Sequence, residues 1–431
     1  MKKQKMYEPA AETMPRAALT ELQLVALRST LARIHTHNPR YIEHLQSLGA
    51  DDVRHLEDLQ RFPFTSKETL RAGYPFGFTC APRHEFVRLH MSSGTTGTPI
   101  ICPHTFNDVQ QWSAIMARCL VAAGLGPEDV IQITPSFGLF NGGFGFHYGA
   151  SALKMMIVPI GAGRSQLQLQ FLKDLGTTGL AAIASYPLRL IEVAEQIGFD
   201  FRRDTRMRVG IFGAEIWSDE LRRRIEAQMG IETFDIIGMT ETAGVGMGID
   251  CPAHEGIHVW EDHYLVELID PDGDQPVSDG AWGELVVTTL TREGLPLIRF
   301  RTRDITRLIS REPCACGRTS LRLDRIACRN DDMLKIKGVN FYPKQVESVL
   351  FSHAQVGNDY LIEIDRVGGA DYLRLNVETD FPDDAGLADK INDALFNMVG
   401  LHAEVVLLPL GGLPRPPGKA VRVKDNRKDD S

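Results

Sequence analysis

Long apolar stretches and an excess of basic residues are both missing from this sequence. Its apolar runs, such as residues 155–159 and 405–408, are far shorter than the ~20 residues that a membrane-spanning helix requires. Lys and Arg number 47 against 56 Asp and Glu, so the formal net charge is −9. Such a chain lacks the basic surface that nucleic-acid backbones need. The sequence therefore predicts neither a membrane partner nor a nucleic-acid partner.

Cysteine is also scarce, with seven in 431 residues. An odd number of cysteines spread along a long chain argues against a disulfide framework and favours metal binding or free thiols. The basic N-terminus, residues 1–5, runs into Tyr7, Glu8 and Pro9 and not into an apolar segment, so no secretory signal is predicted. We therefore expect a cytoplasmic protein.

What is present is the composition of an ordinary globular protein, with 43% hydrophobic and 24% charged residues. The length suits about two to four domains. Through the middle of the chain, short β-rich runs alternate with amphipathic segments at helical spacing, which predicts α/β layers around a largely parallel sheet. The predicted strands are 130–133, 155–158, 180–183, 209–212 and 233–237, and the predicted helices are 17–36, 108–123, 187–196 and 218–229.

Beyond residue 264 the pattern changes twice. Strands at 264–269 and 284–290 follow each other without a helix between them, which indicates a smaller β-subdomain. From residue 329 a mixed set of elements makes a unit of domain size. It comprises helices at 344–351 and 387–398 and strands at 360–364, 373–377 and 404–408.

One loop, residues 91–99, reads Met-Ser-Ser-Gly-Thr-Thr-Gly-Thr-Pro. Its glycines allow close approach of the backbone and its hydroxyl side chains supply donors, which suits polyphosphate oxygens. It is not a Walker motif, because no Gly-Lys-Ser/Thr closes it, and an ordinary Ser/Thr/Gly turn is the alternative. Its candidate nucleotide-binding residues are Ser92, Ser93, Gly94, Thr95, Thr96 and Gly97.

Five motifs resemble, in order along the chain, those of the adenylate-forming superfamily of acyl-CoA synthetases, luciferases and peptide-synthetase adenylation domains. They are residues 92–99, 238–241, 300–304, 329–338 and 414–419. A narrower resemblance is to the phenylacetate-CoA ligase family. It is carried by residues 62–67, 138–143, 147–149, 257–263, 314–318 and 338–343.

The resemblance implies an α/β fold in two domains. Residues 1–328 would form a large N-terminal domain of layered α/β sheets plus a β-subdomain, and residues 329–431 a small mobile α+β C-terminal domain. It also implies an ATP-dependent ligation in two steps. The acid first attacks the ATP α-phosphate, giving an acyl-adenylate and pyrophosphate, and the thiol of coenzyme A then attacks the acyl carbonyl.

The resemblance further implies that Lys419, Glu241 and Thr240 are the catalytic residues. Charge develops on the α-phosphate in the first step, so a cation such as Lys419 stabilises the transition state, while Glu241 holds Mg²⁺ through carboxylate oxygen. Other implied roles are ribose binding by Asp304, nucleotide contact by Arg329, a hinge at Asp331, and nucleotide contacts by Gly213, Ala214, Glu215, Asp235, Ile237, Gly238 and Met239.

Two residues depart from the superfamily pattern. Ile237 stands where an aromatic ring often stacks on adenine, so we expect aliphatic surface to carry the base. Arg303 stands where a glycine usually precedes the motif aspartate, here Asp304, and is expected to crowd that loop.

The cysteines and histidines form a candidate metal site. Cys314 and Cys316 are a compact thiol pair, and structural zinc takes four nitrogen or sulfur ligands in a tetrahedron. A Cys-x-Cys pair alone is a weak signal, because free core cysteines are common, but the family resemblance includes a zinc site in some members. We therefore expect zinc on Cys251, His258, Cys314 and Cys316, with His254 as the alternative to His258.

The stretch 137–146 supplies apolar walls with glycine gaps, which suits an aromatic acid. For any single phenylalanine, ordinary core packing is the alternative. The candidate substrate-pocket residues are Phe137, Phe140, Asn141, Gly142, Gly143, Phe146, Tyr186 and Ala214, of which Asn141 could hydrogen-bond a ring substituent.

The sequence thus predicts an AMP-forming ligase that joins phenylacetate or a related aromatic acid to coenzyme A. Its predicted cofactors are ATP, Mg²⁺ and structural Zn²⁺, and a homodimer is expected from the family. An adenylating enzyme that serves a carrier protein or a deazaflavin is the alternative in the same fold. A non-catalytic, zinc-stabilised nucleotide-binding protein is a third possibility.

Overall fold

The computed structural model describes residues 5–92, 98–139, 141–337, 339–367, 370–414 and 421–428. Its helices are α1 Pro9–Glu12, α2 Arg16–His37, α3 Pro39–His44, α4 Lys67–Ala72, α5 Phe106–Ala122, α6 Gly142–Ala152, α7 Ser165–Asp174, α8 Tyr186–Ile197, α9 Phe201–Asp204, α10 Asp219–Met229, α11 Pro343–Phe351 and α12 Ala385–Val399. Its strands are β1 Phe86–Met91, β2 Ile101–Thr105, β3 Val130–Ile133, β4 Met156–Val158, β5 Gly179–Ile183, β6 Val209–Gly213, β7 Glu232–Met239, β8 Gly244–Ile249, β9 Ile257–Val259, β10 Tyr264–Ile269, β11 Trp282–Thr289, β12 Phe300–Ser310, β13 Arg322–Leu323, β14 Cys328–Arg329, β15 Leu334–Ile336, β16 Val339–Phe341, β17 Val356–Val367, β18 Ala370–Thr379, β19 Glu404–Pro409 and β20 Val423–Asp425. Among these residues no helix has both the length and the apolar character that crossing a membrane requires.

A 12-stranded sheet runs through the main body of the described residues, in the order β10-β11-β12-β13-β9-β8-β7-β6-β5-β3-β4, with β14 beside β12. Strands β3 to β7 pair in parallel, as the alternation of strands and helices predicts. Strand β8 reverses the direction, and the strands that follow pair antiparallel. The predicted β-subdomain therefore continues the main sheet through the pairing of β9 with β13.

The C-terminal unit is a four-stranded sheet in the order β19-β18-β17-β20, accompanied by α11 and α12. Its buried side chains join the core of the main body, because Val346 of α11 and Ile362 of β17 belong to the same cluster as Leu188 of α8 and Leu221 of α10. The predicted α/β fold with a small C-terminal α+β unit is confirmed.

Helix α6 is absent from the predicted elements, although it opens the candidate acid pocket. Glycine weakens a helix by about 1 kcal/mol relative to alanine, so the sequence Gly-Gly-Phe-Gly-Phe-His-Tyr-Gly does not favour one. The helix forms because its glycines permit close packing. A Cβ on Gly145 would lie 2.8 Å from the Trp112 ring, and one on Gly149 would lie 2.7 Å from Met116.

Candidate active site and metal centre

The Gly-x-Thr-Glu motif forms a tight turn at the carboxyl end of β7. Gly238 sits at a bulge where β7 pairs with β8, and a Cβ there would lie 2.4 Å from the Gly244 carbonyl oxygen, so only glycine fits. The 3-10 turn Thr240–Thr242 follows, and the Thr242 hydroxyl accepts a hydrogen bond from the Met239 N–H at 3.3 Å. This turn places Glu241 at the sheet edge where ligands of parallel α/β sheets bind.

Glu241 is buried, with 2% of its surface exposed. Its Oε1 atom has no hydrogen-bond partner among the described residues, and the Lys67 ammonium lies 3.7 Å from it. A buried, unpartnered carboxylate oxygen is rare in folded proteins, and it is an oxygen ligand of the kind that Mg²⁺ takes. The chemistry of this carboxylate therefore fits the predicted magnesium role.

Lys67 is a candidate site residue that sequence reasoning missed. It begins α4, whose N-cap Ser66 accepts a hydrogen bond from the Thr69 N–H. The string 62–67 contributed to the family resemblance, but no pattern in it indicated that the ammonium reaches Glu241. That contact joins segments far apart in the chain, so only the tertiary fold reveals it.

His104 packs beside the turn that carries Glu241, and Arg292 packs beside His104. His104 is fully buried, and its Nε2 atom lies 3.1 Å from the Ala243 carbonyl oxygen. Burial and the neighbouring Arg292 guanidinium hold the pKa of His104 well below its ordinary value, so the ring is neutral. Arg292 Nη2 lies 3.5 Å from Nδ1 of the same ring. Nδ1 also lies 3.1 Å from the Cys102 carbonyl oxygen, so the single N–H of the neutral ring donates either to Cys102 or to Ala243.

Several candidate nucleotide contacts flank this turn. Ala214 follows β6 with a positive φ of 64°, and the Glu215 carboxylate accepts a hydrogen bond from the Ser185 N–H at 2.9 Å. The Asp235 carboxylate accepts from Arg325 Nε at 2.8 Å. Burial raises the pKa of Asp235, and the contact with Arg325 opposes that rise. The Asp235 carboxylate is thus already paired with the Arg325 guanidinium.

Asp304 and Arg329 are paired directly across two adjacent antiparallel strands, β12 and β14. Arg303, the departure from the superfamily pattern, has a positive φ of 69°. That backbone conformation favours glycine and costs a side-chain-bearing residue of order 1 kcal/mol. The buried Glu284 carboxylate compensates by accepting the Arg303 N–H at 3.1 Å, and it lies 3.6 Å from the guanidinium.

The candidate acid pocket surrounds the start of α6. The Phe137 ring lies 5.5 Å from the Phe144 ring in an edge-to-face arrangement, and Asn141 is buried just before the helix. A Cβ on Gly143 would lie 2.8 Å from two carbonyl oxygens, so this position requires glycine. Phe146 belongs to the hydrophobic core of the sheet, which is the core-packing alternative for this residue.

The remaining predicted site residues have the following places. Ile237 and Met239 lie on β7, Gly213 ends β6, Tyr186 begins α8, and Asp331 lies within the 3-10 turn Asn330–Asp332. Ser92 follows β1 and Gly142 begins α6. Ser93, Gly94, Thr95, Thr96, Gly97, Phe140 and Lys419 lie outside the described residues.

The candidate metal centre gathers Cys251, His258, Cys314 and Cys316, whose ligand atoms all lie within 4.8 Å of one another. Cys251 Sγ is 3.8 Å from Cys314 Sγ, and Cys316 Sγ is 3.4 Å from His258 Nε2. The other ring nitrogen of His258 lies 3.0 Å from the Ser320 hydroxyl. Metal-binding histidines are commonly oriented by such a second hydrogen bond. Three sulfurs and one nitrogen make up the four-ligand set that structural zinc prefers.

His254, the alternative ligand, points elsewhere. Its Nδ1 atom lies 2.8 Å from an Asp250 carboxylate oxygen and its Nε2 atom 3.2 Å from a Glu232 oxygen. The hydrogen bond with Asp250 raises the pKa of His254 above its ordinary value. The structure thus places His258, and not His254, among the cysteines.

Two protein-family models match this chain. The family model described as AMP-binding enzyme matches residues 18–291, and the model described as AMP-binding enzyme C-terminal domain matches residues 338–427. Phenylacetate-coenzyme A ligase of Escherichia coli strain K12 is 39% identical over 427 residues, which cover 96% of this chain and 97% of that protein.

Among solved structures, 2-hydroxyisobutyryl-CoA ligase in the postadenylation state, in complex with R3-HIB-AMP, matches with a TM-score of 0.90 and 27% identity. The match covers 98% of this chain and 92% of that chain. The same ligase with 2-HIB-AMP and CoA in the thioesterification state has a TM-score of 0.72 and 28% identity, covering 97% and 91% of the two chains.

The fold and the motif turn therefore define an adenylate-forming, AMP-binding enzyme. Its similarity to curated relatives extends over nearly the whole chain, and this narrows the assignment from the enzyme class to one family. The chain belongs to the phenylacetate-CoA ligase family. The enzyme class predicted from the sequence, an ATP-dependent acid-thiol ligase, is thereby confirmed.

Proposed function

We propose that the protein activates phenylacetate or a related aromatic acid as its acyl-adenylate and then transfers the acyl group to coenzyme A. The observation that carries this proposal is Glu241, a buried carboxylate beside the Lys67 ammonium, with an oxygen that has no hydrogen-bond partner in the described part of the chain. Near full-length similarity to a phenylacetate-CoA ligase supports the acid and the thiol acceptor. The aromatic lining at Phe137 and Phe144 suits the ring of such an acid.

In the first step the acid carboxylate oxygen bonds to the ATP α-phosphorus, and the bond to pyrophosphate breaks. Mg²⁺ held by Glu241 would neutralise phosphate charge. Lys67, whose ammonium already lies at this carboxylate, would contribute a second positive charge on the same side. Lys419, Thr240, Asp304 and the loop 92–97 keep the roles implied by the sequence as parts of this proposal.

In the second step the CoA sulfur bonds to the acyl carbon and AMP leaves. We propose that the domain arrangement described above is that of the first step, because it matches the postadenylation structure more closely than the thioesterification structure. The division at residues 328 and 329, the hinge at Asp331 and a homodimer belong to the same proposal. The separate family-model matches, 18–291 and 338–427, support the division.

We also propose that Cys251, His258, Cys314 and Cys316 hold a structural zinc ion. Four ligand atoms within 4.8 Å of one another support it, as does the place of the cluster between β9 and the loop before β13. A zinc ion there would tie two segments of the sheet together. Its ligands are protein side chains throughout, which is typical of a structural and not a catalytic site.

The experiment is acid-dependent ATP–pyrophosphate exchange, followed by product analysis with different acceptors. We expect exchange with phenylacetate, a thioester with CoA, and none with a carrier protein or a deazaflavin. Glu241→Gln should reduce exchange at least about 100-fold, whereas the exposed Glu21→Gln on α2 serves as the matched control. Absence of exchange with every aromatic acid would refute the proposed function.

A further inference from the structure

Unpartnered buried polar atoms are concentrated around α6. Four of them are Arg88 Nε, His90 Nε2, Asn141 Nδ2 and Tyr148 Oη, none of which has a hydrogen-bond partner within the described residues. Folded proteins leave only a few buried polar atoms unpaired, and each calls for an explanation. Several together, beside a candidate acid pocket, indicate that a ligand supplies the missing partners.

Two of these side chains, His90 and Tyr148, share the same two aromatic neighbours. The Phe144 ring lies 5.4 Å from the His90 ring and 6.0 Å from the Tyr148 ring. The Trp112 ring lies 5.9 Å from His90 and 5.4 Å from Tyr148, and Arg88 stacks on Phe144 at 4.7 Å. Arg88, His90 and Tyr148 therefore lie along one aromatic wall.

The Asn141 amide is held beside the catalytic turn. A Cβ on Gly244 would lie 2.9 Å from Asn141 Nδ2 and 2.3 Å from the Trp112 ring, so the amide, the indole and the residues just after Glu241 are neighbours. Asparagine at the start of a helix usually caps it. Here Asn141 precedes α6 without a side-chain capping bond, and its Nδ2 donors, which a cap would not use, have no partner among the described residues.

His90 offers the complementary hydrogen-bonding group. Its Nδ1 atom lies 3.3 Å from the Leu139 carbonyl oxygen, which can only accept, so the proton is on Nδ1. Burial lowers the pKa of His90 to about 4, so the ring is neutral near pH 7. Among the residues that the structure describes, Nε2 is then an acceptor without a donor, and Asn141 Nδ2 is a donor without an acceptor.

We infer that the acid pocket takes an aromatic acid whose ring carries a hydroxyl group, bound between Asn141 and His90. The hydroxyl oxygen accepts from Asn141 Nδ2, and the hydroxyl hydrogen is donated to His90 Nε2. Tyr148 Oη, which can donate or accept, is a further partner on the same wall. This inference rests on the proposed function, because it names the substrate class of that site.

An unsubstituted phenyl ring would leave both groups buried and unpaired. A site built to hydrogen-bond a substrate hydroxyl rejects the analogue that lacks it much more strongly than a hydrophobic site rejects a small change of shape. We therefore expect kcat/KM for the best hydroxyphenylacetate to exceed that for phenylacetate roughly 10- to 100-fold.

The test measures acid-dependent ATP–pyrophosphate exchange with phenylacetate and with its 2-, 3- and 4-hydroxy derivatives. In Asn141→Leu, which removes the amide at similar volume, the preference for the hydroxylated acid should fall to roughly 3-fold or less. Tyr148→Phe removes a single oxygen. The logarithm of its preference, the ratio of kcat/KM for the hydroxylated acid to that for phenylacetate, should remain at least half of the wild-type value. Tyr148→Phe also provides a conservative second variant if Asn141→Leu does not fold.

Each outcome decides a separate point. If phenylacetate is used as well as or better than all three hydroxylated acids, the inference is wrong while the proposed function stands. If the preference exists but Asn141→Leu keeps it in full, the assignment to Asn141 is wrong. If no acid supports exchange, the proposed function itself fails.

Discussion

Glu347 of α11 connects the C-terminal unit to the main body by one buried hydrogen bond. The Ser218 N–H, at the N-cap of α10, donates to Glu347 Oε1 at 3.0 Å. Ser218 is fully buried and Glu347 is 7% exposed. Within the C-terminal unit, Tyr360 Oη donates to the other carboxylate oxygen at 3.2 Å. Rotation of the C-terminal unit would break the first bond and keep the second.

The size of the effect follows from this geometry. A hydrogen bond to a charged acceptor contributes about 1.5–3 kcal/mol, and a carboxylate is also favoured at a helix N-terminus. Glu347→Ala should therefore shift the equilibrium away from the present arrangement roughly 10- to 150-fold. Since this arrangement matches the postadenylation state, we expect acid-dependent pyrophosphate release to slow by that order.

Separate assays of the two half-reactions check this prediction. Thioester formation from a supplied acyl-adenylate should keep its rate in Glu347→Ala, because in the proposed cycle the second step uses the rotated arrangement. Tyr360→Phe removes only the bond inside the C-terminal unit and is the matched control, with both half-reactions preserved. Equal losses in both half-reactions of Glu347→Ala, or the same selective loss in Tyr360→Phe, would refute the reasoning.

Three further predictions concern the other sites. Lys67→Met should slow acid-dependent pyrophosphate release about 100-fold by removing a positive charge beside Glu241, and an unchanged rate measured at saturating ATP would contradict this. Wild-type protein should contain one zinc per chain by plasma mass spectrometry and Cys316→Ser much less, with a lower melting temperature; a metal-free wild type would refute the zinc proposal. Because Asp250 raises the pKa of His254, the stabilisation from this pair is complete below about pH 6.5 and is lost as pH rises through the raised pKa. The melting-temperature difference between wild type and His254→Gln should accordingly shrink from pH 5.5 to pH 8.5, and a difference that grows would show the sign to be wrong.

Elements with regular apolar spacing could be predicted closely from the sequence. Helix α10 occupies Asp219–Met229 with Ser218 as its N-cap, and the predicted range was 218–229. Helix α6 could not be predicted, because its glycines oppose a helix locally and only their close approach to Trp112 and Met116 explains it. Local propensity decides the first case and tertiary packing the second.

The same distinction applies to the candidate site. Glu241 stands within a short motif, so its place in a turn after a strand is readable from the sequence. The choice between His254 and His258 is not, because both lie a few residues from Cys251, and only the pairing of His258 with Arg322 on β13 brings its ring to Cys316. Lys67 is harder still, since nothing near it in the chain indicates Glu241 as its neighbour.

Glu347 shows why the domain arrangement lies beyond sequence reasoning. Its position on α11 is easily predicted, but a glutamate between apolar residues of a short helix would ordinarily be assigned to the solvent face. Here the Ser218 N–H of the main body donates a hydrogen bond to the Glu347 carboxylate, which offsets the cost of burying it. Burial raises the pKa of Glu347, and its hydrogen bonds oppose that rise. The proposed domain rotation would take the Ser218 N–H away from this carboxylate, so the contact would break once per catalytic cycle.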